Sequence, residues 1–117
     1  MIGPLQDAVA VIGEESNTYF VFSSDNGYRM GEHRLMPGKV TAFDTDIRVP
    51  LVVTGPGIRP GTTVEEITEN IDLCPTFTEL GGMATAATID GRSLVRCSRG
   101  IRRRIGGRWR SSSITGR

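Results

Sequence analysis

The sequence predicts an α/β fold, a partial and mostly parallel sheet with flanking helices, followed by a disordered basic tail. Three observations lead there. Residues 48–54 (Arg-Val-Pro-Leu-Val-Val-Thr) form a nearly unbroken apolar run, the composition of a strand covered on both faces in a parallel sheet. Residues 18–22 (Thr-Tyr-Phe-Val-Phe) are β-branched and aromatic, and they stop abruptly at Ser24-Asp25-Asn26-Gly27. Helical spacing flanks both runs, before the first strand and after the second.

In order along the chain, residues 4–12 predict a short helix. Leu5, Ala8, Val9 and Ile12 share one face, Pro4 fits the first turn and Gly13 lies just past the end. The strand at 18–23 follows, and then a glycine-containing loop to about Gly38. Pro50 is tolerable near the start of the second strand, which the turn Gly55-Pro56-Gly57 closes. Val64–Ile67 reads as weakly strand-like or extended. Asn70 or Asp72 is placed to cap a helix running to Leu80, with Gly81-Gly82 ending it. Residues 83–88 predict a loop and Ile89-Asp90-Gly91 a turn. Two strands and two helices make an incomplete parallel sheet, so the expectation is a piece of a larger domain.

At 117 residues the chain has the size of about one domain, and 38% hydrophobic with 23% charged residues is a soluble globular composition. No apolar run is long enough to span a bilayer. Gly3, Pro4, Gln6 and Asp7 break up the start too early for a signal peptide. Cys74 and Cys97 match no zinc or redox spacing. The net charge of +1 conceals a division at Val95. Residues 96–117 hold eight arginines and no acid, whereas residues 1–95 hold six basic against thirteen acidic groups. We therefore treat 1–95 as the folded part and 96–117 as a tail with too few apolar residues to order itself.

Asp25 and Asn26 put a carboxylate and an amide oxygen side by side at a strand end. Ligands gather at such places in α/β sheets, and hard cations such as Ca²⁺ or Mg²⁺ take such oxygens. A plain polar turn, with Asp-Asn-Gly tolerating positive φ, explains the same residues.

Further segments follow in order: Gly31-Glu32-His33, Gly38-Lys39, and the run from Phe43 through Asp44, Asp46 and Arg48 to Leu51. Beyond them come Gly55-Pro56-Gly57-Ile58, Asp72-Leu73-Cys74-Pro75-Thr76 and Asp90-Gly91-Arg92-Ser93-Leu94. In this order and at these spacings, residues 1–95 resemble the carboxyl-side part of the sulfatase catalytic domain, of the arylsulfatase and glucosamine-6-sulfatase type. The resemblance implies a fragment of an alkaline-phosphatase-like fold and metal-dependent hydrolysis of sulfate esters. It implies that Asp25 and Asn26 supply two ligands to a divalent cation, usually Ca²⁺, with two further acidic ligands on an amino-terminal strand end that this sequence does not contain. Lys39 then matches the lysine that contacts the sulfate oxygens, where an ammonium suits the negative charge that grows as the S–O bond breaks.

His33, the single histidine, has two readings: a general acid or substrate contact, or a loop residue whose ring bonds backbone and holds the Gly31–Gly38 excursion. Lys39 and His33 are thus the candidate catalytic residues, and Asp25 and Asn26 the candidate metal ligands. Asp44 and Asp46 are expected in structural roles, such as pairing with Arg48, and Arg48 in anchoring its strand. Asp72 is expected as a helix cap.

Sulfatases use a formylglycine made from Cys or Ser in a Cys/Ser-x-Pro-x-Arg signature, and this sequence contains no such pentapeptide. Cys74 has its proline one place early, and Cys97 is followed by Ser98-Arg99-Gly100-Ile101. Sulfate ester hydrolysis by this chain alone is therefore not expected. Met1 reads as an internal methionine of such a domain, and the tail as a frame change or an unrelated extension. The competing expectation is a non-catalytic module that binds anionic partners or nucleic acid through Arg102-Arg103-Arg104 and Arg108-Trp109-Arg110. A solvated tail is favoured over it, and nucleic acid is not the expected partner.

Overall fold

Arg29 and Asp46, 17 residues apart, form a buried ion pair that closes the long connection between two short strands. The computed structural model describes residues 2–98, so nearly all of the arginine-rich tail lies outside the described residues. Its first residues are helical rather than irregular, in a short α4 (Val95–Ser98).

Helix α1 (Ile2–Val11) forms where the apolar spacing predicts it, and a backbone turn through Gly13, at φ 74°, stops it. Among the described elements it touches only the 3₁₀ turn Glu15–Asn17 that follows. Its stripe is therefore bare, with Leu5 62% and Ile12 70% exposed. The side chain of Asn17 and the hydroxyl of Thr18 bond back to Glu14, which turns the chain into β1 (Phe20–Ser23).

β1 pairs with β2 (Leu51–Thr54) in antiparallel register, Phe20 opposite Thr54 and Ser23 opposite Leu51. This corrects the expectation of a parallel sheet. An apolar run reports burial and says nothing of direction; a parallel return needs a crossover, usually a helix, along the sheet. Here the connection holds a 3₁₀ turn and the single helical turn α2 (Asp44–Ile47) instead. β2 is also shorter than the apolar run suggests. Pro50 has no N–H to give to a ladder, and pairing begins after it. Residues 64–67 form no strand.

Asp72 stands at the start of α3 as expected, but its carboxylate makes no cap bond to that helix; it serves the preceding turn and a distant segment instead. Asn70–Asp72 is a 3₁₀ turn leading into α3 (Leu73–Leu80), and the Asp72 carboxylate accepts the Glu69 N–H at 2.9 Å and the Arg92 N–H at 2.7 Å. Thr76 adds a second tie, since its hydroxyl accepts the Leu94 N–H at 2.9 Å. Gly91 belongs there because any Cβ would collide with the Ile71 carbonyl oxygen. Tyr19, just before β1, and Val21 and Val53 on the sheet face Leu73, Phe77 and Leu80 of α3 across an apolar cleft. The best buried side chains are Pro75, Val95, Thr76, Asp72 and Asp46. Polar hubs rather than a large apolar core tie the segments together.

Candidate functional site

The end of β1 is shaped by three local bonds and one close approach. The Ser24 hydroxyl donates to the Asn26 carbonyl at 2.9 Å, the Asp25 carboxylate accepts the Asn26 N–H at 2.9 Å, and the Asn26 amide donates to the Gly27 carbonyl at 2.6 Å. Gly27 is not in the left-handed region, so the turn does not use it for positive φ. It is needed for space: its N–H donates to the Asp46 carbonyl at 2.8 Å, and a Cβ would run into the Thr45 carbonyl oxygen. From the other side Asn70 donates to the Ser24 carbonyl at 3.2 Å and the Asp25 carbonyl at 2.9 Å. The strand end is thus pinned between α2 and the 3₁₀ turn that precedes α3.

Lys39 reaches the same place. Its ammonium lies 3.3 Å from Asn26 Oδ1, donating to it. The segment carrying Lys39 is held at its base by a pair of backbone bonds, Arg29 N–H to the Gly38 carbonyl at 3.0 Å and Gly38 N–H to the Arg29 carbonyl at 3.1 Å. The Arg29 guanidinium also donates to the Met36 carbonyl at 3.1 Å, the Thr41 hydroxyl at 3.2 Å and the Asp46 carboxylate at 2.6 Å. Thr41 donates its own N–H and hydroxyl to the same carboxylate, at 2.8 and 2.6 Å. The Thr41 hydroxyl does most to hold the Asp46 carboxyl below its ordinary value; the Thr41 N–H and the Arg29 charge add to it, and desolvation opposes them. Asp46 therefore pairs with Arg29 and not with Arg48, which is exposed and stands just outside β2.

His33 stacks on Phe43, with ring centroids 4.1 Å apart and planes 16° from parallel, and its backbone sits at φ 59°. Among the described residues, no hydrogen bond or ion pair joins it to Asp25, Asn26 or Lys39. Next to it, the Glu32 carboxyl is held below its ordinary value by backbone N–H groups, its own first and that of Met30 second. Lys39 and Asn26 thus meet at the end of β1, next to Asp25 in the chain, with His33 on the loop beyond.

Arg29, Thr41 and Asn70 belong to this arrangement and escape a reading of the sequence. Arg29 and Asn70 reach a carboxylate or backbone 17 and more residues along the chain, and Thr41 turns back to Asp46 five residues on; neither periodicity nor a motif encodes these bonds. The donors at the strand end are of the right kind for a hard cation, a carboxylate and an amide oxygen. They are few: no group of three or more His, Cys, Asp or Glu that could hold a metal occurs among the described residues. Ca²⁺ takes about six to eight oxygens.

A family model described as Sulfatase matches residues 2–83. The chain is 42% identical over 103 residues to an extracellular sulfatase SULF-1 homolog of Drosophila melanogaster, covering 88% of this chain and 9% of the relative. To the human N-acetylglucosamine-6-sulfatase it is also 42% identical over 103 residues, covering 87% of this chain and 18% of that protein. A solved structure of a protein in complex with its substrate D-glucosamine-2-N,6-O-disulfate superposes with a TM-score of 0.74 at 34% identity, over 83% of this chain and 20% of the other. The chain spans about a tenth to a fifth of the length of these proteins. Its structural neighbours, of alkaline-phosphatase-like fold, include sulfatases and a phosphonate monoester hydrolase, and the two antiparallel strands with their helices are a small α/β part of that fold. By the match over residues 2–83 and these identities, the chain belongs to the sulfatase family.

Proposed function

We propose that this chain supplies one wall of a sulfate ester site: Asp25 and Asn26 as two ligands of a divalent cation, and Lys39 as the cation that meets the sulfate oxygens. The observation that supports it is the 3.3 Å approach of the Lys39 ammonium to Asn26 Oδ1, which brings a positive charge beside one of the two proposed cation ligands. Ca²⁺ or Mg²⁺, when bound, supplies positive charge to the sulfate oxygens. Lys39 adds charge from the protein side, where it counts most as negative charge moves onto the leaving oxygen. Asn26 links the two functions through one side-chain oxygen. The human relative is named for a 6-sulfated N-acetylglucosamine and the solved neighbour holds a 6-O-sulfated glucosamine, so sulfated glucosamine is the ester class we assign to the whole protein.

We further propose that the chain alone does not turn over sulfate esters. It contains no Cys/Ser-x-Pro-x-Arg pentapeptide, and hence no formylglycine precursor. Two cation ligands are also too few for tight metal binding. An assay of the purified chain with an aryl sulfate and Ca²⁺ should give background rates, and calorimetry should show weak or no Ca²⁺ uptake. Turnover above background contradicts the inactive state, and tight stoichiometric uptake contradicts the half-site.

A further inference from the structure

We infer that the Arg29–Asp46–Thr41 node is the device that positions Lys39 over Asn26, with Arg29 as its central positioning residue; this rests on the sulfate-site role proposed for Lys39. An ammonium on a four-carbon stem is a flexible point charge, and it stays near one partner only if the backbone beneath it is fixed. Arg29 fixes that backbone from both sides. It holds Met36 and Gly38 before Lys39 and the Thr41 hydroxyl after it. The same node reaches the other half of the site, since the Asp46 carbonyl accepts the N–H of Gly27, the residue after Asn26.

Two further observations fit. The Arg29 and Asp46 side chains are only 11% and 2% exposed, so the pair is shielded from water, and removing either partner strands a buried charge. Val40, directly after Lys39, sits at φ 85°, a conformation a β-branched residue holds only where its surroundings impose it. A lysine would not replace Arg29, because the three acceptors it serves need a planar fork with several N–H groups.

Lys39 is the single lysine of the chain, which makes the test direct. In the full 117-residue chain, a nuclear Overhauser contact is measured between the Lys39 methylene next to nitrogen and the Asn26 side-chain amide, with contacts across β1 and β2 (Phe22 with Val52) as the fold control. The contact is expected in the native sequence and lost in Arg29→Ala, while the sheet contacts remain. A contact absent from the native chain, or surviving in Arg29→Ala, overturns the inference. If Arg29→Ala also loses the sheet contacts, Arg29→Lys decides. It keeps a charge beside Asp46 but releases Met36 and Thr41, and the contact should weaken to roughly half or less; full intensity there overturns the inference. Titration of the same samples with sodium sulfate separates this from the functional assignment. A native chain that shows the contact but no sulfate response at Lys39 refutes the sulfate role and leaves the positioning intact.

Discussion

Gly27, Asn70 and Asp46 each show one residue deciding where another points. Gly27 lets the strand end press against the Thr45 carbonyl, so Gly27→Ala should force α2 and the Asp25–Asn26 corner apart and destabilise the chain by about 1–3 kcal/mol in urea unfolding. Asn70→Ala removes one amide serving two carbonyls in a partly solvated place; we expect a smaller loss, about 0.5–1.5 kcal/mol, with larger amide shifts at Ser24 and Asp25 than in α3. Asp46 carries a pH dependence. Its carboxyl titrates below the ordinary 3.8 in the folded chain, so near that pH the folded state binds fewer protons than the unfolded state. The stability it contributes is complete above the ordinary carboxylate range and lost as pH falls through the lowered value. Thermal midpoints should therefore drop on acidification, and Asp46→Asn should lower the neutral plateau and flatten the acid fall. The exposed Glu32 acts in the same direction, and a residual slope in Asp46→Asn belongs to it and to other carboxylates.

At the scale of elements, the polar hub at the start of α3 does what an apolar core does in larger domains. Asp72 closes the 3₁₀ turn through Glu69 and gathers residues 92–94 through Arg92, with Thr76 adding Leu94. Asp72→Ala leaves two N–H groups without acceptors, and a loss of about 2–4 kcal/mol is expected in urea unfolding, with hydrogen exchange rising at Glu69, Arg92 and Leu94. Much of this level was legible in the sequence. The α1 stripe, the aromatic strand and the glycine stop after Leu80 follow from local spacing and turn chemistry, which need only near neighbours; Asp72 was expected as a cap of α3, but it bonds Glu69 and the distant Arg92 instead. Strand direction did not follow, because the apolar run at 48–54 carries no sign of orientation. The partner of Asp46 did not either: Arg48 is nearer along the chain, but Arg29 arrives through a loop whose closure at Gly38 no local pattern announces. The segments carrying Asn26 and Lys39 were recognisable as separate motifs in register, and the structure brings these two side chains together; the supports beneath them, Arg29, Thr41 and Asn70, were not recognisable as such.

At the scale of the whole molecule, the described residues present apolar surface that no other described element covers. Leu5, Val11 and Ile12 on and after α1 touch no other described element beyond the following turn, and Phe22 and Phe77 are about half exposed. Surfaces of this kind drive association, so sedimentation should show larger species as concentration rises. Replacing Leu5 and Ile12 with lysine should reduce that association with little change in stability, within about 0.5 kcal/mol, because both side chains are mostly exposed among the described residues. The sulfatase family is fixed by the match over residues 2–83, and the proposal for this chain is that it offers one wall to a sulfate ester. That wall is tested most directly by sulfate itself, followed at the one lysine after isotopic dimethylation of its amine. We expect a saturable shift of the Lys39 signal with roughly millimolar affinity, about −4 kcal/mol, absent with chloride at equal ionic strength and much reduced in Asn26→Ala. A Lys39 signal that moves identically with sulfate and chloride would contradict it.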